Sequence, residues 1–314
     1  MADSWLGLLA DRERHVVRRD PEDGRLSAPV HEFLTLPAPV IIAKSNGKSP
    51  VHRRVQMDYV GVKSLGPGGT LKGERRFVGL FTSGAYSMRP FDIPLLRLKA
   101  KNVMTRAGFP PASHDEKALA HILDTFPRDE LFQIGEDELF AAAVGILKLG
   151  ERPQVRLIPR FDRFGRFVTA IVFVPRDRYG TDTREKIHAI LARRYGGRAT
   201  AARPTLDDSP LARIYYIVGR GDAPLEHPET DAVEAEIRRA VRTWEDGFGE
   251  ALSARYGAYD GERRARERTG GISAAYRDAF SPHEAVEDIA RLEDLAAGTD
   301  ALAARVWRKP DDAP

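Results

Sequence analysis

The residues with the most defined chemistry are Arg176-Asp177-Arg178-Tyr179-Gly180-Thr181, set between a strand and a helix. Backbone amides at a helix start carry partial positive charge, and here two guanidiniums stand beside them. Arg176, Arg178, Tyr179, Gly180 and Thr181 therefore form a candidate effector site that could receive the carboxylate of a free amino acid or a similar small acid. The same residues also read as a plain capped turn.

Other chemistries find no such arrangement. Dinucleotide binding needs a glycine-rich turn leading from a strand into a helix N-terminus. Gly66-Pro67-Gly68-Gly69 instead lies between two strand candidates and reads as a hairpin loop, while Gly196-Gly197 closes a helix, the opposite polarity. The eight histidines include no pair four residues apart that would place two imidazoles on one helix face for a metal. Thr82-Ser83-Gly84 lacks the first glycine of a nucleophile elbow and the helix after it, so Ser83 reads as a strand-end turn residue. Glu136-Asp137-Glu138 and Asp207-Asp208 suit a helix start and a turn. With no cysteine, thiolate sites and disulfides are excluded and a cytoplasmic location is expected. The expectation is a chain with no catalytic, cofactor-binding or metal-binding residues of its own.

The elements that would position the candidate loop follow from periodicity. Residues 1–90 read as a mostly β unit: a short strand at Val40–Lys44 closed by Ser45-Asn46-Gly47, a second over Val51–Val62 with an irregularity near Gly61, and a return strand over Gly73–Ser83. Residues 91–150 read as a helical bridge of three helices. The first carries Ile93, Leu96, Ala100 and Val103; the second starts at a capping box, Ser113 to Glu116; the third runs from Glu136 to Gly150. Residues 151–225 return to strands around Gln154–Arg160, Phe167–Val174, Arg198–Leu206 and Leu211–Val218, with a helix from Thr181 to Tyr195. A closing helix over about 230–256 completes ββαββα, a permuted ferredoxin-like order. In residues 257–314, Gly261 to Gly271 reads as a charged connector, Ser281-Pro282-His283-Glu284 as a helix start, and the tail from Gly298 as frayed. The fold class is α+β.

Lysine plus arginine number 49 against 46 acidic residues, a net charge of +3 with the signs interspersed, which gives little reason to expect a nucleic-acid partner. The basic groups Arg12 to Arg19, His52-Arg53-Arg54, Arg75-Arg76 and Glu262 to Arg268 read as solvated faces. A rival reading uses the middle two, with Tyr59, Phe77 and Phe81, as a nucleic-acid-binding strand surface of a stand-alone protein. No stretch of about 18 apolar residues occurs, so no membrane span is expected.

Several stretches carry a resemblance. They are His52 to Lys63 (HRRVQMDYVGVK), Gly73 to Ser83 (GERRFVGLFTS), Pro127 to Gln133 (PRDELFQ), Asp162 to Phe167 (DRFGRF), Val174 to Tyr179 (VPRDRY) and Ala275 to Pro282 (AYRDAFSP). In this order, from about Leu6 to Leu295, the chain resembles the N-terminal regulatory part of the large bacterial NAD-dependent glutamate dehydrogenases. The resemblance implies a PAS-like unit at 1–90, an ACT-like domain at 151–225 with its closing helix, and a regulatory fragment excised from a longer subunit. It implies, as partners, the remaining domains of the parent chain and neighbouring subunits, with NAD bound in a separate catalytic domain. That domain's catalytic lysines have no counterpart here, so the fragment alone is expected to be inactive and to act by sensing an amino acid or by subunit contacts.

Overall fold

A computed structural model describes residues 6–7, 38–52, 54–151, 154–205, 209–220 and 224–298. The basic run Arg12 to Arg19 and the tail beyond Gly298 lie outside the described residues. The fold is α+β, in two compact units, residues 1–234 and 235–314.

The first unit opens with an antiparallel sheet of three strands in sequence order, β1 (Val40–Lys48), β2 (Gln56–Leu65) and β3 (Leu71–Gly79). β1 does not stop at Ser45-Asn46-Gly47: it continues to Lys48, and a register shift between Lys44 and Lys48 absorbs the turn-forming residues. Gly61 lies in regular register between Ile41 and Arg76, and the irregularity falls at Ser64/Leu65 instead. The β2–β3 connection is a single 3-10 turn at Pro67–Gly69, where Gly68 and Gly69 take φ of 73° and 77°, a region that side chains disfavour. β3 ends at Gly79, because a short helix, α1 (Ser83–Ser87), takes over where a continued strand was expected.

Four more helices follow: α2 (Leu96–Ala107), α3 (His114–Thr125), α4 (Arg128–Gln133) and α5 (Glu136–Glu151). α4 has no counterpart among the three expected helices, since six residues give too little periodicity to register. The capping box of α3 is half-formed. Ser113 Oγ accepts from Glu116 N at 3.2 Å, but the Glu116 carboxylate takes the amide of Ala112, not that of Ser113.

A second sheet holds β4 (Arg156–Phe161), β5 (Phe167–Pro175), β6 (Gly197–Thr205) and β7 (Leu211–Arg220), all antiparallel in the order β4-β5-β7-β6, with α6 (Thr181–Arg194) between β5 and β6. This is the strand order of a ferredoxin-like sheet whose first strand and helix have moved to the end. Every residue of Phe167–Val174 is buried, because both faces of β5 are covered. Ile171, Phe173, Leu211 and Tyr215 share one core with Leu96, Leu119, Leu123, Leu131 and Leu139 of the helices. On the opposite face, Tyr216 OH donates to the Arg184 carbonyl of α6 at 3.2 Å, and Ile187, Ile190 and Leu191 of that helix are buried.

The expected closing helix is broken in two, α7 (Thr230–Ala240) and α8 (Trp244–Tyr256). Thr243 and Asp246 form a reciprocal capping box that starts a new helix in the middle of an unbroken apolar period. The expected charged connector is also helical, as α9 (Ala258–Arg268), ending in a 3-10 turn at Thr269–Gly271. Pairs one turn apart, Arg263 with Glu267 and Arg266 with Glu262, stabilise it in place of an apolar stripe. Gly261 lets α9 lie against α8, for a Cβ there would meet the Leu252 carbonyl carbon at 2.8 Å. α10 (Ala274–Ala279) and α11 (Pro282–Ala296) complete the unit, the latter with the expected Ser281–Glu284 box. Its core is Phe248, Ala251, Leu252, Ala285 and Val286.

Candidate functional site

The predicted loop is a 3-10 turn over Arg176–Arg178 followed directly by α6. Arg176 N donates to the Pro210 carbonyl at 2.9 Å, tying the loop to the start of β7, and Tyr179 N donates to the Arg176 carbonyl at 3.2 Å. Gly180 is the N-cap of α6 in extended conformation and supplies no side-chain cap. Thr183 Oγ1 turns back to donate to the Arg178 carbonyl at 2.7 Å. Arg176, Gly180 and Thr181 are exposed, and Arg178 and Tyr179 are half-buried. The loop is thus an open helix start beside two arginines. A cavity of about 510 Å³ lies at the other end of α6, lined by Arg193, Arg194, Glu226, His227 and Pro228. The His227 ring is stacked on Phe161 at 4.0 Å there.

The most heavily partnered group lies elsewhere, on the short helix α4. Glu130 is 2% exposed. Its Oε1 accepts from Arg160 Nη2 at 2.9 Å and from Tyr215 OH at 2.8 Å. Its Oε2 accepts from Arg160 Nε and from Thr169 Oγ1 at 2.9 Å. Arg160, Thr169 and Tyr215 come from the three adjacent strands β4, β5 and β7, so one carboxylate fixes α4 to the breadth of the second sheet. Burial and the Glu130 charge together push the Tyr215 phenol well above its usual range.

The neighbouring Asp129 ties the same helix to the first sheet. Its Oδ1 accepts from Lys44 Nζ of β1 and Tyr86 OH of α1, each at 2.9 Å. Lys44 Nζ also donates to Asp58 of β2 at 2.6 Å, and Asp58 accepts the Phe81 amide at 3.1 Å. The Lys44 carbonyl takes a bond from Arg166 in the β4–β5 turn, whose guanidinium forks onto Asp162 at 2.7 and 2.8 Å. From α2, Lys99 Nζ donates to the Leu131 and Ile134 carbonyls at 2.8 and 2.7 Å, satisfying the C-terminal end of α4. Burial pulls this ammonium down to about 8; the Arg163 charge adds to the effect and Glu136 opposes it. α4 is therefore a hub between both sheets and α2.

Sequence reasoning reaches Pro127 to Gln133 by resemblance and Asp162 to Gly165 also as a turn between two strands, where Gly165 N donates to the Asp162 carbonyl at 2.9 Å. It did not reach Lys99, Asp129, Glu130 or Arg160 as a joined set, because their partners lie 30 to 85 residues away in the chain. The strand residues of the rival nucleic-acid reading are divided by the structure. Tyr59 OH and Arg76 Nε both bind Glu74, at 2.7 and 2.9 Å, and Phe81 stacks on Phe132 at 4.4 Å in the core, while Phe77 is exposed. Among the described residues no group of three or more histidines and carboxylates is placed to hold a metal, and no helix is long and apolar enough to cross a membrane.

Comparison with known proteins gives these segments a shared origin. Family models for glutamate dehydrogenase match residues 93–152 as helical motif 1, residues 156–245 as the ACT2 domain and residues 251–295 as helical motif 2. The NAD-specific glutamate dehydrogenase of Pseudomonas aeruginosa is 36% identical over 264 residues, 84% of this chain and 16% of that protein. Those of Halomonas elongata and Mycobacterium tuberculosis are 34% and 31% identical, over 95% and 71% of this chain and 18% and 14% of their own lengths. The chain thus spans less than a fifth of the curated relatives it matches. Helical motif 1 is the stretch from α2 to α5, and the ACT2 domain is the second sheet with α6 and α7. The two are joined through Glu130, and the chain that carries them, with helical motif 2 after them, belongs to the NAD-specific glutamate dehydrogenase family.

Proposed function

We propose that this chain is a regulatory and oligomerisation segment of a larger NAD-dependent glutamate dehydrogenase, one that oxidises glutamate to 2-oxoglutarate and ammonia with reduction of NAD in a separate catalytic domain. On this reading residues 1–90 form a PAS-like unit, NAD and substrate bind elsewhere in the parent, and the segment turns over nothing alone. The observation that carries it is the Glu130 junction. A carboxylate shared by three strands of the ACT2 sheet and a helix of motif 1 makes the two move as one body. A ligand that favours one arrangement of the sheet's loops is then felt at the helices, which is the physical requirement for coupling between sites.

The ligand we assign to the loop Arg176–Thr181 is a small acid such as a free amino acid. Calorimetric titration of the chain with a panel of amino acids and dicarboxylates tests this. Heat that is lost in the variant Arg176→Gln/Arg178→Gln supports sensing at the loop, and a flat trace across the panel sinks it. A coupled NADH assay on the chain alone is expected to stay flat; turnover there would overturn the non-catalytic reading.

A further inference from the structure

The cavity at the C-terminal end of α6 is separate from the loop at the other end of that helix, and its walls are fixed from several directions. Gly196, at φ 64°, turns the chain out of α6 and into β6. Glu226 N donates to the Tyr195 carbonyl at 3.0 Å and Leu225 beside it is buried, which pins the segment carrying Glu226, His227 and Pro228 against the end of the helix. Gly197 permits that approach, for a Cβ there would stand 3.1 Å from Leu225 Cδ2 and 2.5 Å from the Gly219 carbonyl oxygen. His227 stacks on Phe161, the last residue of β4, at 4.0 Å and 21°, and Phe161 meets the buried Tyr195 ring edge-on at 5.6 Å. One face of the imidazole is therefore covered, yet the residue is exposed, so its other face is open to a ligand. Arg193 and Arg194 stand in the last turn of α6, where their charge offsets the negative pole of the helix.

A flat ring, two guanidiniums and one carboxylate around about 510 Å³ suit a ligand with matching parts: an aromatic ring, an anionic group and hydroxyl donors. The volume falls among sites that accept molecules of drug size. A free amino acid fills only a fraction of it, and inorganic phosphate leaves the imidazole face unused. We infer that the cavity binds a purine nucleoside monophosphate, with its base on the open face of His227, its phosphate at Arg193 and Arg194, and its sugar hydroxyls donating to Glu226. The site is independent of the small-acid loop and of the identity of the parent enzyme.

Calorimetric titration of the 314-residue chain with AMP, adenosine and ribose monophosphate tests each part of the assignment. AMP should bind about tenfold or more tighter than either fragment, because adenosine lacks the charge and ribose monophosphate lacks the ring. His227→Ala should bring AMP down to the level of ribose monophosphate, and His227→Phe, which keeps a flat ring on Phe161, should restore it. Arg193→Gln, at an exposed position, should weaken AMP about tenfold and leave adenosine unchanged. Absence of heat with AMP overturns the site. Equal binding of AMP and ribose monophosphate also overturns it, since the ring would then contribute nothing. AMP binding that persists in His227→Ala and Arg193→Gln but is lost in Arg176→Gln/Arg178→Gln puts the nucleotide at the loop and overturns the cavity as well. Failure with AMP leaves the small-acid reading of the loop standing, because that reading is tested with amino acids and dicarboxylates.

Discussion

Arg160 Nη2 donates to Glu130 Oε1 at 2.9 Å with the two side chains only 8% and 3% exposed, joining helix α4 of helical motif 1 to the sheet of the ACT2 domain. Breaking such a pair from one side strands the other charge away from water. Glu130→Ala should therefore lower the unfolding free energy by roughly 3–5 kcal/mol, read from urea denaturation. Replacing both partners, as Glu130→Leu with Arg160→Met, should recover only part of that loss, because the buried Tyr215 hydroxyl loses its acceptor as well. A Glu130→Ala variant within about 1 kcal/mol of the native chain would show the pair to be incidental.

Lys99 gives a pH signature. Its ammonium titrates near 8 in the folded chain, below the ordinary 10.5, because it is buried. Between those values the unfolded chain holds the proton that the folded chain has released, so stability rises with pH across the window. Relative to Lys99→Met, the native chain should gain in melting temperature from pH 8 to pH 10. A constant difference between the two proteins over that range would refute the assignment.

Gly261 should tolerate no side chain. The Cβ of Gly261→Ala would stand 2.8 Å from the Leu252 carbonyl carbon and closer still to the Ser253 backbone, neither of which can rotate away. The helices must separate, at about 1–3 kcal/mol. Gly249, whose Cβ would rest at an ordinary 3.8 Å from Ala265, is the control site, where alanine should be neutral or stabilising. Equal melting temperatures for the two alanine variants would remove the close-approach argument.

Thr243→Ala removes the side chain that accepts Asp246 N at 3.2 Å, while Asp246 Oδ2 takes the Thr243 amide at 2.9 Å. About 1 kcal/mol should be lost, and Thr243→Ser should restore it. Circular dichroism melts of the three proteins decide the matter.

That capping box also shows where reading the chain fails. Val233, Ile237, Val241, Trp244, Phe248 and Leu252 keep a helical period straight through the break, so apolar spacing alone predicts one helix. The signal that splits it is the polar pair Thr243 and Asp246, visible in the sequence and outweighed by the period. α9 failed in the opposite way: it is polar nearly all round, and its support comes from ion pairs along its surface. By contrast β5 was plain, since eight consecutive buried residues leave no alternative to a strand covered on both faces. The element order ββαββα followed from local patterns, while the order of the strands within the sheet came only with the structure. The hub on α4 did not, for a buried glutamate carries the same letter as an exposed one and only three-dimensional pairing distinguishes them.

The distance in sequence between the donors of Glu130 sets an order of assembly during synthesis. Arg160 and Thr169 follow it by 30 and 39 residues, but Tyr215 follows by 85, and β5 has no neighbour on that side until β7 is complete at Arg220. As the chain leaves the ribosome, the helices up to α5 are present well before the sheet that holds them, and their carboxylate stays hydrated meanwhile. Completion of β7 is thus the event that dries the junction and commits the two segments to each other.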